Sequence, residues 1–432
     1  MLEVGEQLTS PLGITYDILR LLGSGGQGEV YEVTAGNKHY ALKWYFPHMA
    51  TNRQAEIIQK LVHTGKPDER FLWPMDFVMK GDTFGYIMEL RPHEYKSIVD
   101  LMKRKAEPSF KALCLAGYEL ADCFQKLHSL GYSYCDISFG NAFFNPDNGQ
   151  VLVCDNDNVV INKEAKECVQ GTLGFMAPEI VMGKGTPNAQ TDLFSLAVLL
   201  FYMFMLHHPL EGAAEASIKC LDMRAKQRLY GEKPVFIWDK DDLSNRPVAG
   251  YQDNAIIYWR LYPRMIRDLF MSAFTEGLYH PNKRILENQW KRAFFELQDH
   301  IMLCPNCGAE NFYENQEAIG AGNICWSCNQ NVSPGALLVL GDKVIVLHKD
   351  TIIYPHHFYQ DFDLSKEVAK VTQHPKEPQK WGLQNKTLAT WQVKKQDGQI
   401  ISIPPEKSMS LQDGLEIDFG QFPSKGVLKK HS

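Results

Sequence analysis

Excess positive charge is missing from this chain, with 45 Lys and Arg set against 51 Asp and Glu, a formal charge of −6. That balance gives no general attraction to nucleic acid or to an anionic membrane surface. Long apolar runs are missing too. The most apolar stretch, "LFSLAVLLFYMFML" at 193–206, has 14 residues, against the roughly 20 that a membrane span needs. It reads instead as a buried central helix, with Asp192 as its cap and "HHP" as its stop. The opening "MLEVGEQLTS" has no basic start followed by an apolar segment, so no secretory signal is expected. Arginine is absent after Arg292, and Ser, Thr and Tyr are absent from residues 155–171.

With 44% hydrophobic and 22% charged residues over 432 positions, a soluble globular protein of two or three domains is expected. Cysteine is unevenly placed. Six are scattered from Cys114 to Cys220, and four form two tight pairs at 304–328. Scattered single cysteines suit a reducing compartment, so a cytoplasmic location is expected, whereas tight pairs suit a metal.

The first fifty residues have strand character around a glycine cluster, and "GN" at 36–37 turns the chain into "KHYALKWYF". Residues 52–62 place Ala55, Ile58 and Val62 on one helical face behind an Asn52 cap. A longer helix is expected over 108–131. Residues 180–300 read as helical, interrupted at 211–260 by a polar segment long enough to fold on its own. A β-rich start followed by helices predicts two lobes and a cleft.

Several groups in this region suit nucleotide chemistry. In "GSGGQGEV", Gly23, Gly25 and Gly28 leave backbone N–H groups open to phosphate oxygens; taken alone, the cluster fits a plain hairpin turn equally well. Glu29 and Val30 stand where a P-loop needs Lys and Ser or Thr, and the following hairpin excludes a dinucleotide fold. Strand alternation puts Ala41 and Lys43 on one face, where Lys43 is either a solvated lysine or a phosphate ligand. Glu56, the one carboxylate between Lys43 and Asp68, is expected to pair with it from the next helix. Further on, "CDISFGNAFFNPDNGQVLVCDND" folds back around "PDNG", bringing Asn141 to Asp155. An amide oxygen and a carboxylate suit Mg²⁺, leaving Asp136 to accept a proton from an incoming hydroxyl. Loop carboxylates in turns remain the plain reading of Asp147 and Asp157.

Taken in order, "GSGGQGEV", "YALK", Glu56, "YCDISFGN", "CDND", "GTLGFMAPE" at 171–179 and "TDLFSLAVLLFYM" resemble the motifs of a eukaryotic-type Ser/Thr protein kinase of the bacterial kind, over residues 15–300. The resemblance implies an α+β, bilobal protein-kinase fold binding ATP and Mg²⁺. Lys43 would hold the nucleotide phosphates, Asn141 and Asp155 the metal, and Asp136 would be the base. Val30 and Ala41 would roof the adenine and Phe143 floor it. Met88 would guard its back, with the backbone of 89–91 (Glu89 to Arg91) hydrogen bonding the base. Asp192 would tie down the catalytic loop, Arg284 would pair with Glu179, and Thr172 would be structural. A protein substrate with a Ser or Thr acceptor follows from "GTLGFMAPE".

Departures from the pattern are informative. Cys135 stands where an arginine precedes the catalytic aspartate, and residues 155–171 offer no phosphorylatable side chain. Control by phosphorylation inside that loop is therefore not expected. Ser138 replaces the usual lysine, removing a positive charge near the transferred phosphate. Asn156 and Asp157 replace Phe and Gly, adding a further metal contact on this reading. The competing function is a nucleotide-binding pseudokinase scaffold that recruits partners through its C-terminal part.

"CPNC" and "CWSC" place Cys304, Cys307, Cys325 and Cys328 in two knuckles 17 residues apart, a spacing suited to one structural Zn²⁺. The expected division is a kinase domain at 1–300 (N-lobe about 1–90, C-lobe about 91–300, insertion 211–260), a zinc ribbon at 301–333 and a β-sandwich-like domain at 336–432. The last resembles a forkhead-associated domain in "GLQNKTLATW" and "LQDGLEIDFG", though such domains read phosphothreonine with an arginine. Bacterial kinases built this way imply a von Willebrand A-domain protein and a metal-dependent protein phosphatase as partners.

Overall fold

The computed structural model describes residues 1–161, 171–314, 324–349 and 351–430. The expectations drawn for residues 162–170 lie outside them. Two compact units are present. One comprises Met1–Pro108, Leu115–Ile256 and Leu269–Lys291; the other comprises Ser109–Cys114, Ile257–Asp268 and Arg292–Ser432. No helix among the described residues is long and apolar enough to cross a membrane.

The first unit begins with strands β1 (Gln7–Thr9), β2 (Thr15–Ser24), β3 (Gly28–Ala35) and β4 (Lys38–Tyr45). Helix α1 (Asn52–Thr64) and strands β5 (Asp76–Lys80) and β6 (Thr83–Glu89) follow. The strands form one antiparallel sheet in the order β1-β2-β3-β4-β6-β5. Alternation along them buries Leu8, Ile18, Val33, Leu42 and Ile87 in a shared core. β4 lies between β3 and β6, so it is covered by neighbours on both edges, with Val30 opposite Lys43 and Ala41 opposite Met88.

The entry to α1 differs from expectation. Thr51 is the cap, its side chain accepting from the Gln54 N–H at 3.2 Å. The buried residues are Ile58 and Leu61, with Ala55 and Val62 half-exposed. Gln54, Ile58 and Leu61 recur at four and three residues and share the inward face; Glu56, two residues beyond Gln54, is turned about 200° away from it.

Strand β7 (Lys96–Ser97) and helices α2 (Ile98–Met102) and α3 (Phe110–Ser129) lead to short strands β8 (Tyr132–Ser133), β9 (Ala142–Phe144), β10 (Val151–Val153) and β11 (Val160–Ile161). β9 and β10 form the hairpin around "PDNG", with Ala142 opposite Val153. After α4 (Pro178–Val181), helix α5 (Ala189–Met205) is buried on nearly every side, as an all-round apolar sequence requires. Its cap is Asn188, whose side chain accepts from Gln190 and Thr191 while Thr191 returns the bond. Asp192 therefore lies inside the first turn and is free for another task. Phe201 meets Phe236, Phe270 and Phe274 edge-on at 5.2–5.7 Å, which fixes the segments around α5 by aromatic packing.

The second unit contains the strand pair Ile301–Leu303 and Glu310–Phe312 and two antiparallel sheets of six and four strands. Leu338, Trp391 and Ile417 from one sheet and Val371, Leu383 and Met409 from the other share a single core.

Arg284 clamps the first unit internally. Its guanidinium meets both Glu179 oxygens at 2.8 Å and donates to the Gln190 carbonyl at 2.9 Å and the Gly277 carbonyl at 3.2 Å. The arginine side chain is 2% exposed. Arg284→Ala strands a carboxylate and two carbonyls, so it should lower unfolding free energy by about 3 kcal/mol. Arg284→Lys should recover only part, because a point charge cannot reproduce the fork; urea unfolding of the three proteins checks both.

Candidate active site

The sheet supplies one wall of the cleft. A Cβ at Gly28 would lie 2.1 Å from the Trp44 carbonyl oxygen, so the β3–β4 pairing demands glycine there. At Gly23 and Gly25 a Cβ would meet nothing within 4 Å. These two are dispensable for packing, and they leave the exposed turn between β2 and β3 unobstructed. Ala41 and Met88 are adjacent and buried, and Val30 is half-buried beside them. Phe143 on β9 lies under the Arg91 guanidinium, 4.1 Å from its ring centre, and Glu89 is exposed.

The opposite wall is a loop held from below. Asp192, 1% exposed, accepts from the backbone N–H of Tyr134 at 2.6 Å and of Cys135 at 3.0 Å. That grip coincides with a left-handed residue, Cys135 at φ 71°, and directs the next residue, Asp136, outward. Asp136 Oδ1 accepts from the Thr172 N–H at 2.9 Å and its hydroxyl at 2.8 Å. Asn141 Nδ2 donates to the Asp136 carbonyl at 2.9 Å and to its Oδ2 at 3.2 Å. Burial pushes the Asp136 carboxyl above its ordinary value, and the Thr172 and Asn141 bonds pull it back in part. Gly171, at φ 95°, passes where a Cβ would lie 2.8 Å from the Cys135 carbonyl oxygen.

The β9–β10 hairpin delivers the remaining groups. Cys154 N–H donates to the Asn141 carbonyl at 2.9 Å, tying the residue before Asp155 to Asn141. Asp155 adopts φ 58°, and its Oδ1 meets Lys43 Nζ at 2.7 Å. Asn141 Oδ1 and Asp155 Oδ2 have no partner among the described residues, which leaves an amide oxygen and a carboxylate oxygen for a hard cation.

Lys43 is where the structure corrects the sequence reading. Its ammonium contacts Asp155, Asp157 Oδ2 at 2.7 Å and Gln27 Oε1 at 2.8 Å. Glu56 is exposed and lines a separate groove with Arg53, Ile57, Lys60 and Tyr132. The phase of α1 explains this, because the residue that faces inward is Gln54. Asp157, read from sequence as a metal contact, has a side chain that is 0% exposed and also accepts from the Tyr45 hydroxyl. Burial disfavours the Lys43 charge, but the Asp157 and Asp155 carboxylates outweigh it and hold the ammonium above its ordinary range. Gln27, Tyr45 and Gln54 were not identified as site residues from sequence, and Asp157 was not identified as a partner of Lys43. Asp157 carried the one usable sign, an acid where a glycine was expected.

In the second unit, Cys304 Sγ and Cys328 Sγ are 3.6 Å apart, as are Cys307 Sγ and Cys325 Sγ. All four sulfurs lie within 4.8 Å of one another. A tetrahedron with Zn–S of about 2.3 Å has edges of roughly 3.8 Å, so the set fits that ion. Burial opposes ionisation of Cys325, yet backbone N–H groups of Cys328 and Ser327 and the Asn311 amide lower its thiol to about 6.

A strand lysine caged by carboxylates, facing an acid–amide loop anchored from a buried helix, is the site architecture of a protein kinase. Residues 16–248, more than half of the chain, match the protein kinase domain family, and the chain belongs to that family. It is 26% identical over 217 residues to a "Probable serine/threonine-protein kinase" of Zea mays, covering 48% of this chain and 34% of that one. A second protein of that description, from Saccharomyces cerevisiae, is 24% identical over 311 residues, covering 67% of this chain and 44% of that one. A "DNA damage-responsive serine/threonine-protein kinase" of Deinococcus radiodurans is 25% identical over 222 residues, covering 47% and 31%. The chain thus spans less than half the length of these relatives.

One neighbour of the loop links a titratable group to Asp192. His128 Nε2 lies 3.1 Å from Asp192 Oδ2, and Nδ1 bonds Glu287. Burial opposes the imidazolium charge, but the two carboxylates raise the group from 6.5 to about 9. A pKa raised on folding contributes stability that is complete below the unfolded value and is lost as pH climbs through the folded one. Between pH 6.5 and 9.5 the protein should lose on the order of 3 kcal/mol from this group. Denaturant midpoints across that window should show the loss in wild type and its absence in His128→Gln.

Proposed function

We propose that this chain is an ATP-dependent Ser/Thr protein kinase. What supports the reading is a run of contacts: Lys43 Nζ lies 2.7 Å from Asp155 Oδ1, the Cys154 N–H donates to the Asn141 carbonyl at 2.9 Å, and the Asn141 amide donates to Asp136 at 2.9 and 3.2 Å. Lys43 would contact the nucleotide phosphates once Mg²⁺ and ATP are present. Asn141 Oδ1 and Asp155 Oδ2 are the oxygens that would hold Mg²⁺, which supplies charge neutralisation for the bridging phosphates. Asp136 would orient the acceptor hydroxyl and take up its proton, its Oδ1 already accepting from a hydroxyl, that of Thr172. Val30, Ala41, Met88 and Phe143 would enclose the base, and the backbone of Glu89 to Arg91 would hydrogen bond it. The relatives described as serine/threonine-protein kinases support the acceptor class.

The domain division belongs to the same reading: a kinase domain at 1–300, a zinc ribbon at 301–333 and a β-sandwich domain of forkhead-associated type at 336–432. Two sheets sharing one core support the last of these. The absence of arginine beyond Arg292 makes it a docking module rather than a reader of phosphothreonine. A von Willebrand A-domain protein and a metal-dependent phosphatase are the proposed partners, and free cysteines outside the four-sulfur cluster fit a cytoplasmic location.

Incubation with labelled ATP and Mg²⁺ tests the enzyme. Asp136→Asn should cut transfer by at least about a hundredfold while leaving nucleotide affinity within about threefold. Equal labelling of wild type and variant would refute the assignment of Asp136, and nucleotide binding with no transfer by wild type would favour the scaffold reading.

The zinc assignment has its own test. Purified protein should carry about one zinc per chain. Removal by a strong chelator should change the second unit's circular dichroism without abolishing nucleotide binding. Cys325→Ser should reproduce the effect of chelation.

A further inference from the structure

We propose that Asp157 is the residue that positions Lys43 in this chain, in place of any carboxylate on helix α1; the proposal rests on reading the cleft as a phosphotransferase site. Three observations support it. The first is distance: Asp157 Oδ2 and Asp155 Oδ1 each lie 2.7 Å from Lys43 Nζ, making Asp157 the second carboxylate on the ammonium.

The second is what Asp157 lacks. Its side chain is fully buried, and its Oδ1 has no hydrogen-bond partner among the described residues. A carboxylate serving only the fold would have both oxygens satisfied. A buried charge left half-bonded is tolerable only beside a counter-charge, and Lys43 is the cation it touches. The full burial also separates this side chain from the partly exposed Asp155, so it is unsuited to ligate a metal at the mouth of the cleft.

The third concerns α1. Gln54, on its inward face, donates to the Asp157 carbonyl at 3.1 Å and to the Tyr45 hydroxyl at 3.3 Å. Tyr45 in turn donates to Asp157 Oδ2. The helix therefore braces the loop with a neutral amide, and its nearest acid, Glu56, is exposed on another face. Lys43 is aligned from the loop after β10, which also carries Asp155, so both of its carboxylate partners move as one piece of chain.

Four proteins test this: wild type, Asp157→Asn, Glu56→Gln, and Asp157→Asn combined with Gln54→Glu. Each is measured for Mg·ADP affinity by calorimetry and for phosphoryl transfer. Asp157→Asn should weaken affinity and lower kcat/KM by at least about tenfold, whereas Glu56→Gln should change neither by more than about twofold. Gln54→Glu returns a carboxylate to the same pocket and should recover a substantial part of the loss, which a merely structural role for Asp157 would not predict. Asp157→Asn behaving like wild type, Glu56→Gln proving as damaging, or a double variant with no recovery would each overturn the proposal. Should Asp157→Asn fail to fold, Glu56→Gln decides alone, a tenfold loss overturning and parity supporting. A wild type that binds Mg·ADP but transfers nothing refutes the kinase reading, and the affinity comparison still decides the role of Asp157.

Discussion

A single buried ammonium, that of Lys43, organises the cleft. It projects from β4, which is covered on both edges, and is 4% exposed, so water cannot neutralise it. The chain answers with two carboxylates from one short loop. Asp155 is turned toward it by a left-handed backbone. Asp157 is pinned behind it, and Asn156 between them is fully buried, donating to the Leu72 and Val153 carbonyls at 2.9 and 3.1 Å. Two acids against one base leave a net negative charge facing the cleft mouth. That surplus suits a divalent cation and is the electrostatic reason the pair is more than a fold device.

The loop that carries Asp136 depends on a second, nested set of contacts. Asp192 grips the Tyr134 and Cys135 amides, and it is itself held by His128 and by the burial of α5. Asp192 is 1% exposed, whereas Asp136 is only half-buried. Asp136 at the outer end is thus placed by a chain of hydrogen bonds that begins in the apolar interior. Ser138, standing where a lysine was expected, is 4% exposed and takes no place in the open cleft. The charge lost there is not restored by that residue.

How much of this was legible depended on range. The β9–β10 hairpin could be read because "PDNG" is local turn chemistry, and with it came the approach of Asn141 to Asp155. The cysteine knuckles were equally local. Phase was harder. Thr51 rather than Asn52 caps α1, and Asn188 rather than Asp192 caps α5; a shift of one residue in the first and of four in the second leaves each helix recognisable. In α1 the same kind of error decides chemistry, since it exchanges Gln54 for Glu56 at the inner face. Asp157 was misjudged for a related reason: sequence spacing placed it beside Asp155 without telling which of the two points into the core.

The buried amide of Asn156 has a consequence for chemical probes. Its slot beside Leu72 and Val153 is filled by a polar group already bonded to main-chain carbonyls, where a phenyl ring was anticipated. Compounds that gain selectivity by expelling such a ring and occupying a greasy void would find no void here. They would instead have to break the two hydrogen bonds donated by the Asn156 amide and shield the carbonyls left behind. Small molecules aimed at this protein are better directed to the Arg91–Phe143 stack.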